Sequence, residues 1–427
     1  MLNKILRKIE KFIPKKLFKM GQPIYHYSLA LVGATLYRFP SKKIKIVAVT
    51  GTKGKTSTVE FVNTILEEAG KKTALAGTLR FKIGETSKPN LYKMTMPGRF
   101  FIQKFLRDAV SAGCEYAVLE ISSEAAKQHR NKFIDLSALL FTNLAPEHIE
   151  SHGSYEKYVD AKLSIARGLA KSSKKNKVLV VNSDDTEAEK FLAIDIEKKI
   201  TYSMNDAQNI SLTNDLTSFT YKGVKIESEL LGKFNIYNML AAIKYAESEG
   251  IDLQTIARGI LKLKNIKGRA EKIDLNCDFP GKQDFKVFVD YAHTPDSLIA
   301  IYETFSESKI IGVLGNCGGG RDKWKRKAMA EIADKYCEEV ILTDEDPYDD
   351  DPREIVDDMA QYFKKKPEII MDRREAIASA MKRAKKGDVV IITGKGTDPY
   401  IMRKNGVKEK WSDAEVVREE LRKILSK

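Results

Sequence analysis

The stretch Val47 to Thr58 reads Val-Ala-Val-Thr-Gly-Thr-Lys-Gly-Lys-Thr-Ser-Thr, and few folds accommodate it. Ile44, Ile46, Val47 and Val49 predict a buried strand, and Val59, Val62, Ile65 and Leu66 fall on one face of a following helix. Between them, Gly51, Thr52, Lys53, Gly54, Lys55, Thr56 and Ser57 make a glycine turn at a helix start. Backbone N–H groups of such a turn close on phosphate oxygens, and the helix N-terminus adds the positive end of its dipole. Lys55 would reach the terminal phosphates and the Thr56 hydroxyl would ligate Mg²⁺. The usual loop spacing would place a glycine at Val49, so the alternative is a plain strand-to-helix turn.

A chain of 427 residues predicts two or three domains. Four scattered cysteines (Cys114, Cys277, Cys317, Cys337) form no C-x-x-C pair, which argues against a zinc ribbon or disulfide framework and suits a reducing cytoplasm. The nearest uncharged run, Tyr27 to Tyr37, is too short to span a membrane, and the start lacks a signal-peptide pattern. The net charge of +14 is uneven: residues 1–50 hold eleven Lys/Arg against Glu10 alone, and so carry +10 of it. The nearly balanced remainder argues against a nucleic-acid-binding protein. Leu2, Ile5, Leu6, Ile9, Phe12 and Ile13 lie at helical spacing among lysines before Pro14. This basic amphipathic helix reads either as docked on its own domain or, through residues 1–20, as a weak contact with an anionic membrane surface.

From Lys45 to about Lys267 apolar strands alternate with helices, as a parallel α/β sheet requires. Tyr116 to Ile121, Leu136 to Thr142 and Val178 to Asn182 read as strands, Thr217 to Leu230 as a hairpin appended to the sheet, and Asn235 to Ala246 as a helix. A second α/β unit begins near Gly268, with strands at 287–290, 310–314, 340–343 and 389–393 and helices over 325–336 and 373–385. The expected architecture is thus a short basic segment (1–44), a P-loop-type central domain with a parallel sheet (45–267) and a Rossmann-like C-terminal α/β domain (268–427).

Ligands of open parallel sheets bind at the carboxyl ends of strands. Glu120 ends a strand there and is placed to hold Mg²⁺, the alternative being a cap for the next helix. Of five histidines (His26, His129, His148, His152, His293), four fall on loops after strands, a clustering that points to a site without naming a reaction. Lys162 lies on a predicted helix, and no sequence rule singles it out. In the second unit Gly315 to Asp322, Asp344 to Tyr348 and Gly394 to Asp398 form three strand-end loops rich in glycine and charge, a crevice for a small charged ligand.

Taken in order, these segments resemble the Mur ligases, and among them the MurE type, which adds the third residue of the muramoyl peptide in peptidoglycan precursor synthesis. The resemblance runs through Gly51 to Thr56, Glu120-Ile-Ser-Ser123, Gln128-His-Arg130, Thr142 to His148, His152-Gly153 and Asp160-Ala-Lys162. It continues through Gly232 to Asn238, Gly268-Arg269, Asp290 to Asp296, Cys317 to Asp322, Asp344 to Pro347 and Gly394-Lys-Gly396. It implies that Lys55 and its loop bind ATP and that Thr56, Glu120, His148 and Lys162 hold magnesium, Lys162 as a carbamate. It further implies nucleotide contacts at Asn235, Asn238, Arg269 and Asp290. The sugar-peptide acceptor falls to Thr95, Ser122, Gln128 and Arg130. The incoming amino acid falls to Arg321, Glu345, Asp346, Tyr348, Gly396 and Asp398, and His293 is a further substrate-binding residue. The reaction so implied is ATP-dependent amide formation through an acyl phosphate, by a cytoplasmic monomer with a nucleotide-sugar peptide and an amino acid as its small-molecule substrates.

Three departures stand out. Only about 50 residues precede the phosphate loop, where the family has a domain that holds the UDP group. The MurE turn that reads diaminopimelate is Asp-Asn-Pro-Arg, against Glu345-Asp346-Pro347-Tyr348 here, which brings lysine level with diaminopimelate as the added amino acid. Met96 and Glu124 replace a Thr and a His of the matched segments. Competing readings are a ligase like folylpolyglutamate synthetase acting on a non-UDP or lipid-linked acid, and a non-catalytic nucleotide-binding subunit.

Overall fold

The computed structural model describes residues 15–92, 94–147, 149–320 and 323–426. The amphipathic stretch expected over residues 2–13 lies outside them. The described chain forms two compact units: one reaches to Gln208 and adds Thr220–Lys225 and Ile236–Lys262, and the other comprises Asn209–Phe219, Ile226–Asn235 and the chain from Leu263.

The first unit opens with a helix, α1 (Lys15–Leu36), and among the described residues no helix is long and apolar enough to cross a membrane. Its sheet has eight strands: β1 (Lys45–Thr50), β2 (Thr73–Ala76), β3 (Arg80–Ile83), β4 (Thr86–Pro89), β5 (Tyr116–Glu120), β6 (Ala138–Phe141), β7 (Val178–Asn182) and β8 (Lys198–Tyr202), in the order β4-β3-β2-β5-β1-β6-β7-β8. The six strands from β2 to β8 along that order are parallel, while β3 and β4 pair antiparallel at one edge. β1 is central, and its neighbours come from later in the chain on both sides. Pairing of Val49 with Glu120 and of Thr50 with Phe141 brings the ends of β5, β1 and β6 to one level. That is the switch point where an α/β sheet binds its ligand.

Burial explains why these strands form. Ile46, Ala48, Leu119, Leu139 and Phe141 are fully buried in one apolar cluster, and Phe141 stacks on Phe191 with ring centroids 3.9 Å apart. Each large side chain so buried contributes about 1.5–3 kcal/mol. The helix after the phosphate loop, α2 (Lys55–Glu68), buries Val59, Val62, Ile65 and Leu66 as its spacing predicts. Helices α3 (Arg99–Ser111), α4 (Ser123–Lys127) and α5 (Tyr155–Ala170) follow in the same unit.

The predicted hairpin exists, but it does not extend the large sheet. β9 (Gln208–Leu212), β10 (Thr217–Tyr221) and β11 (Val224–Ser228) make a separate three-stranded sheet, in which exposed polar β9 completes the pair. Helices α6 (Lys233–Ser248) and α7 (Leu253–Lys262) follow.

The second unit carries a six-stranded sheet: β12 (Glu271–Ile273), β13 (Lys286–Val289), β14 (Ile310–Leu314), β15 (Glu339–Leu342), β16 (Glu368–Ile369) and β17 (Val389–Ile392), ordered β12-β13-β17-β14-β15-β16. All neighbours but β12 and β13 are parallel. The register Val289–Ile392, Val313–Ile392 and Leu314–Leu342 sets the ends of β13, β17, β14 and β15 side by side. A small ribbon, β18 (Tyr400–Met402) with β19 (Lys408–Lys410), and the C-terminal helix α8 (Asp413–Leu425) complete the unit.

Candidate active site

In the first unit the phosphate loop is braced by the turn after β6. Thr52 N donates to Asn143 O at 2.8 Å, Lys53 N donates to Asn143 Oδ1 at 2.9 Å, and Thr142 Oγ1 donates to Lys53 O at 2.6 Å. The glycines are required by contact. A Cβ on Gly51 would sit 1.9 Å from Thr142 Oγ1, and one on Gly54, at φ +79°, would sit 2.2 Å from Asn238 Oδ1. Asn238, an expected nucleotide contact, therefore lies against the loop, and its Oδ1 also accepts from Thr58 Oγ1 at 3.4 Å. Lys55 Nζ curls over the loop onto Gly51 O (3.0 Å) and Thr52 O (2.7 Å). Ser57 is buried in the first turn of α2.

Glu120 is buried at the end of β5. Its carboxylate accepts from Thr56 Oγ1 at 3.2 Å, from Thr78 N at 2.8 Å and from Thr78 Oγ1 at 2.9 Å. Thr78 also meets Thr95 at 2.9 Å, which links the metal candidate Glu120 to an expected acceptor residue. Neither the sequence nor the resemblance pointed to Thr78, whose partner lies 42 residues away.

Lys162 is only 1% exposed on α5, where its Nζ donates to Gly51 O at 2.5 Å and lies 4.8 Å from the Tyr158 ring centroid. Burial, and then the charge of Lys55, push its amine well below the ordinary lysine range. Tyr158 is held by Thr52 at 2.8 Å, and burial raises its phenol. His152, buried beside it, meets Ser123 Oγ at 3.2 Å. His148 lies outside the described residues.

Ser122 caps α4, accepting from Ala125 N at 3.2 Å. Arg130 donates to Met96 O and to Gln128 Oε1, each at 2.7 Å, so Thr95, Gln128 and Arg130 share one region. Gln128 also donates to Glu124 at 2.6 Å, which gives Glu124 a local partner where the family has a His.

In the second unit, Glu345 and Asp346 are buried just past β15. Asp346 Oδ1 accepts from Lys395 Nζ at 2.8 Å and from Met402 N at 2.7 Å. Glu345 Oε1 accepts from Cys317 Sγ at 3.1 Å, whereas Oε2 is buried with no hydrogen-bond partner. Burial pushes this carboxyl above its ordinary value, against the pull of Arg373 and Lys395. Gly394 permits the approach, since a Cβ there would lie 2.2 Å from Glu345 Oε2. Tyr348 stands at φ +54° with its N bonded to Met402 O at 3.0 Å. Arg403, next along the ribbon, pairs with Asp344 and with Glu409 at 2.7 Å.

The other expected site residues of this unit have the following partners. Asp290 accepts from Ala270 N (2.6 Å) and Ala292 N (2.7 Å), and the Arg269 guanidinium lies 4.6 Å over the Tyr291 ring. His293 Nδ1 is 2.7 Å from Tyr291 O. Gly396, at φ +47°, packs on Tyr291, and Asp398 lies 3.5 Å from Lys395. Asn235 Nδ2 donates to Leu231 O at 2.8 Å. Arg321 lies outside the described residues. The ion pair of Lys395 with Asp346 and the buried pair Arg373–Asp413 (2.7 Å), which anchors Asp344 and Thr393 through their carbonyls, went unread because the partners are remote in sequence.

Comparison with known proteins gives this geometry a context. Residues 49–246 match the Mur ligase middle domain and residues 268–396 match the Mur ligase glutamate ligase domain. The chain is 39% identical over 411 residues to the UDP-N-acetylmuramoyl-L-alanyl-D-glutamate–2,6-diaminopimelate ligase of Syntrophomonas wolfei, covering 92% of this chain and 82% of that one. It superposes on a solved ligase of the same name with TM-score 0.62 and 31% identity, over 89% of this chain and 79% of that one. It also shares its fold with the folylpolyglutamate synthase of Mycobacterium tuberculosis (TM-score 0.66, 15% identity, 94% and 95% coverage). With both domain matches in sequence order and a relative aligned over nine-tenths of this chain, the chain belongs to the Mur ligase family.

Proposed function

We propose that this chain is an ATP-dependent acid–amino-acid ligase of the MurE type, joining a diamino acid to the D-glutamyl carboxyl of a UDP-N-acetylmuramoyl-L-alanyl-D-glutamate acceptor. The observation that carries the reading is the convergence of the Thr56 hydroxyl, the Glu120 carboxylate, Lys55 and buried Lys162 around the loop Gly51–Lys55. In the first step a carboxylate oxygen of the acceptor attacks the γ-phosphorus of ATP, giving an acyl phosphate and ADP. The amine then attacks the acyl carbon, the bond to the phosphate oxygen breaks, phosphate leaves and the amine loses a proton. Lys55 neutralises charge on the transferring phosphoryl group, and the loop amides hold the rest of the triphosphate.

The donor set fits magnesium: hard oxygens, few of them, beside a triphosphate cradle. Thr56 and Glu120 would hold one ion, with His148 and a Lys162 carbamate as further ligands. When bound, magnesium supplies charge neutralisation during phosphoryl transfer. The depressed basicity of Lys162 favours the carbamate, because the neutral amine is the form that attacks CO₂. Thr95, Ser122, Gln128 and Arg130 are assigned to the acceptor. Asn235, Asn238, Arg269 and Asp290 are assigned to the nucleotide, Arg321, Glu345, Asp346, Tyr348, Gly396 and Asp398 to the amino acid, and His293 to substrate binding.

Diaminopimelate is the amino acid favoured by the relatives, whose names carry it. Lysine is a second reading because Tyr348 stands where a bidentate Arg would take a second carboxylate. Purified protein with ATP, Mg²⁺, the acceptor and single amino acids decides between them. The expected result is phosphate release and a product mass for diaminopimelate above all others. Turnover with lysine alone would replace the substrate, and no turnover with any amino acid would overturn the ligase reading.

A further inference from the structure

Three elements of the first unit bring basic side chains together beyond Arg130. Arg99 opens α3, and its guanidinium donates to Gln128 O. His129, at φ +54°, follows on the loop after α4, and Tyr27 of α1 lies edge-on against it with centroids 6.2 Å apart. His26 precedes Tyr27 on α1, and α1 packs on α3 where Gly33 meets the backbone of Arg99 and Phe100. Three nitrogens here, His26 Nδ1, Arg99 Nε and His129 Nδ1, are buried and have no hydrogen-bond partner. An unmatched buried polar nitrogen costs on the order of 1–3 kcal/mol, and the Arg99 Nε–H, which can only donate, calls for an acceptor. Glu124 does not serve: its oxygens accept from Gln128 at 2.6 Å and Ser151 at 3.0 Å, and none of the three nitrogens bonds it.

The cluster also lies at the end of a continuous path. Glu120 touches Thr78, Thr78 touches Thr95, and beyond Met96 Arg130 bonds Met96 O and the side chain of Gln128, whose carbonyl receives Arg99. An acceptor whose carboxyl reacts beside Glu120 and whose peptide lies along Arg130 carries its far end to α1. We propose that Arg99, His26 and His129 form an anion site that holds the phosphate-ester end of the acceptor, opposite its reacting carboxyl. This rests on the ligase reading for the identity of the acceptor, but the anion site can be tested without ligation.

The surrounding charges set a pH signature. Burial, then Arg99, His129 and Arg130, lower the His26 pKa to about 4, with Glu124 acting weakly the other way. His129 is lowered by burial, Lys132 and Arg99. Both rings are thus neutral at pH 7, and a bound anion would raise both pKa values. Binding would then take up protons, so affinity would rise as pH falls from 7 toward 5.

The test uses the full chain with its phosphate loop saturated by Mg²⁺ and a non-hydrolysable ATP analogue. Inorganic pyrophosphate, uridine diphosphate and phosphatidylglycerol vesicles are titrated against wild type, Arg99→Gln and His129→Gln, with analogue affinity and thermal midpoint as controls for folding. The expected result is saturable pyrophosphate binding that weakens at least tenfold in both variants. Imidazole NMR should show the His26 titration moving up from about 4 on addition of the anion. Arg99-dependent binding of uridine diphosphate would assign the ester to a soluble nucleotide, and Arg99-dependent vesicle binding would assign it to a lipid. Failure of wild type to bind pyrophosphate, or equal affinity in both folded variants, would overturn the site. So would an unmoved His26 ring in wild type, a readout that needs no variant. A protein that binds the anion but ligates nothing would instead sink the ligase reading alone.

Discussion

At the residue scale, Glu345 is a carboxylic acid held where its charge is poorly served. Its Oε2 has no hydrogen-bond partner and burial raises its pKa from the ordinary 4.5. An acid whose folded pKa is raised stabilises the fold least once pH exceeds its unfolded value, because the unfolded state then releases a proton the folded state retains. Glu345→Gln should therefore raise the melting temperature at pH 7 to 8, with the gap closing as pH falls through about 4.5, while amino-acid binding is lost. Melting curves across that range check the sign; a variant less stable at pH 8 than wild type would refute the account. Lys162 presents the opposite case, a base whose charge burial disfavours. Wild type supplied with ¹³C-labelled bicarbonate should show a carbamate carbon resonance that Lys162→Ala lacks, and that variant should lose about a hundredfold or more in kcat, some 2.7 kcal/mol of transition-state stabilisation. Neither behaviour was legible in the sequence. Lys162 looked like any helical lysine until the resemblance singled it out, and the penalty on Glu345 comes from its burial, with Gly394, far along the chain, packed against its Oε2.

At the element scale, the parts that the sequence announced were those with a dense apolar signal. β1, β5, β6, β7, β14 and β17 are buried along nearly their whole length, and all were read within a residue or two of their observed ends. The strands missed were short or polar: β4 is exposed at every position and β9 likewise, so neither alternates between core and solvent. Helix α7 was missed as well, yet it supports the phosphate-loop helix. A Cβ on its Gly259 would lie 2.7 Å from Ile65 Cα, so α7 and α2 touch backbone to backbone. Gly259→Ala must push the helices apart and should cost about 1–3 kcal/mol by overpacking. A melting temperature lowered by several degrees, with ATP affinity falling in step, would support that contact as what seats α2. An unchanged melting temperature would mean the helices separate freely.

At the scale of the whole molecule, the proposed chemistry falls on both units. The first carries the phosphate loop, Glu120, Lys162 and the path through Thr95 to Arg130, which is what activation of a carboxylate needs. The second carries Glu345, Asp346, Lys395 and Asp398, charged groups suited to an incoming amino acid with its ammonium and carboxylate. If the division is real, the two half-reactions should come apart under mutation. Hydroxylamine is a small amine that intercepts an acyl phosphate without the contacts an amino acid needs. The full chain with ATP, Mg²⁺, acceptor and hydroxylamine should therefore give a hydroxamate in the absence of any amino acid. Asp398→Asn removes one charge from a partly exposed ion pair with Lys395 and leaves the buried Lys395–Asp346 pair intact. That variant should raise KM for the amino acid about tenfold, a loss of some 1.4 kcal/mol, while hydroxamate formation keeps its wild-type rate. A fall in both rates together would mean that the second unit takes part in activation, and the division of labour drawn from the two sets of strand-end residues would have to be abandoned.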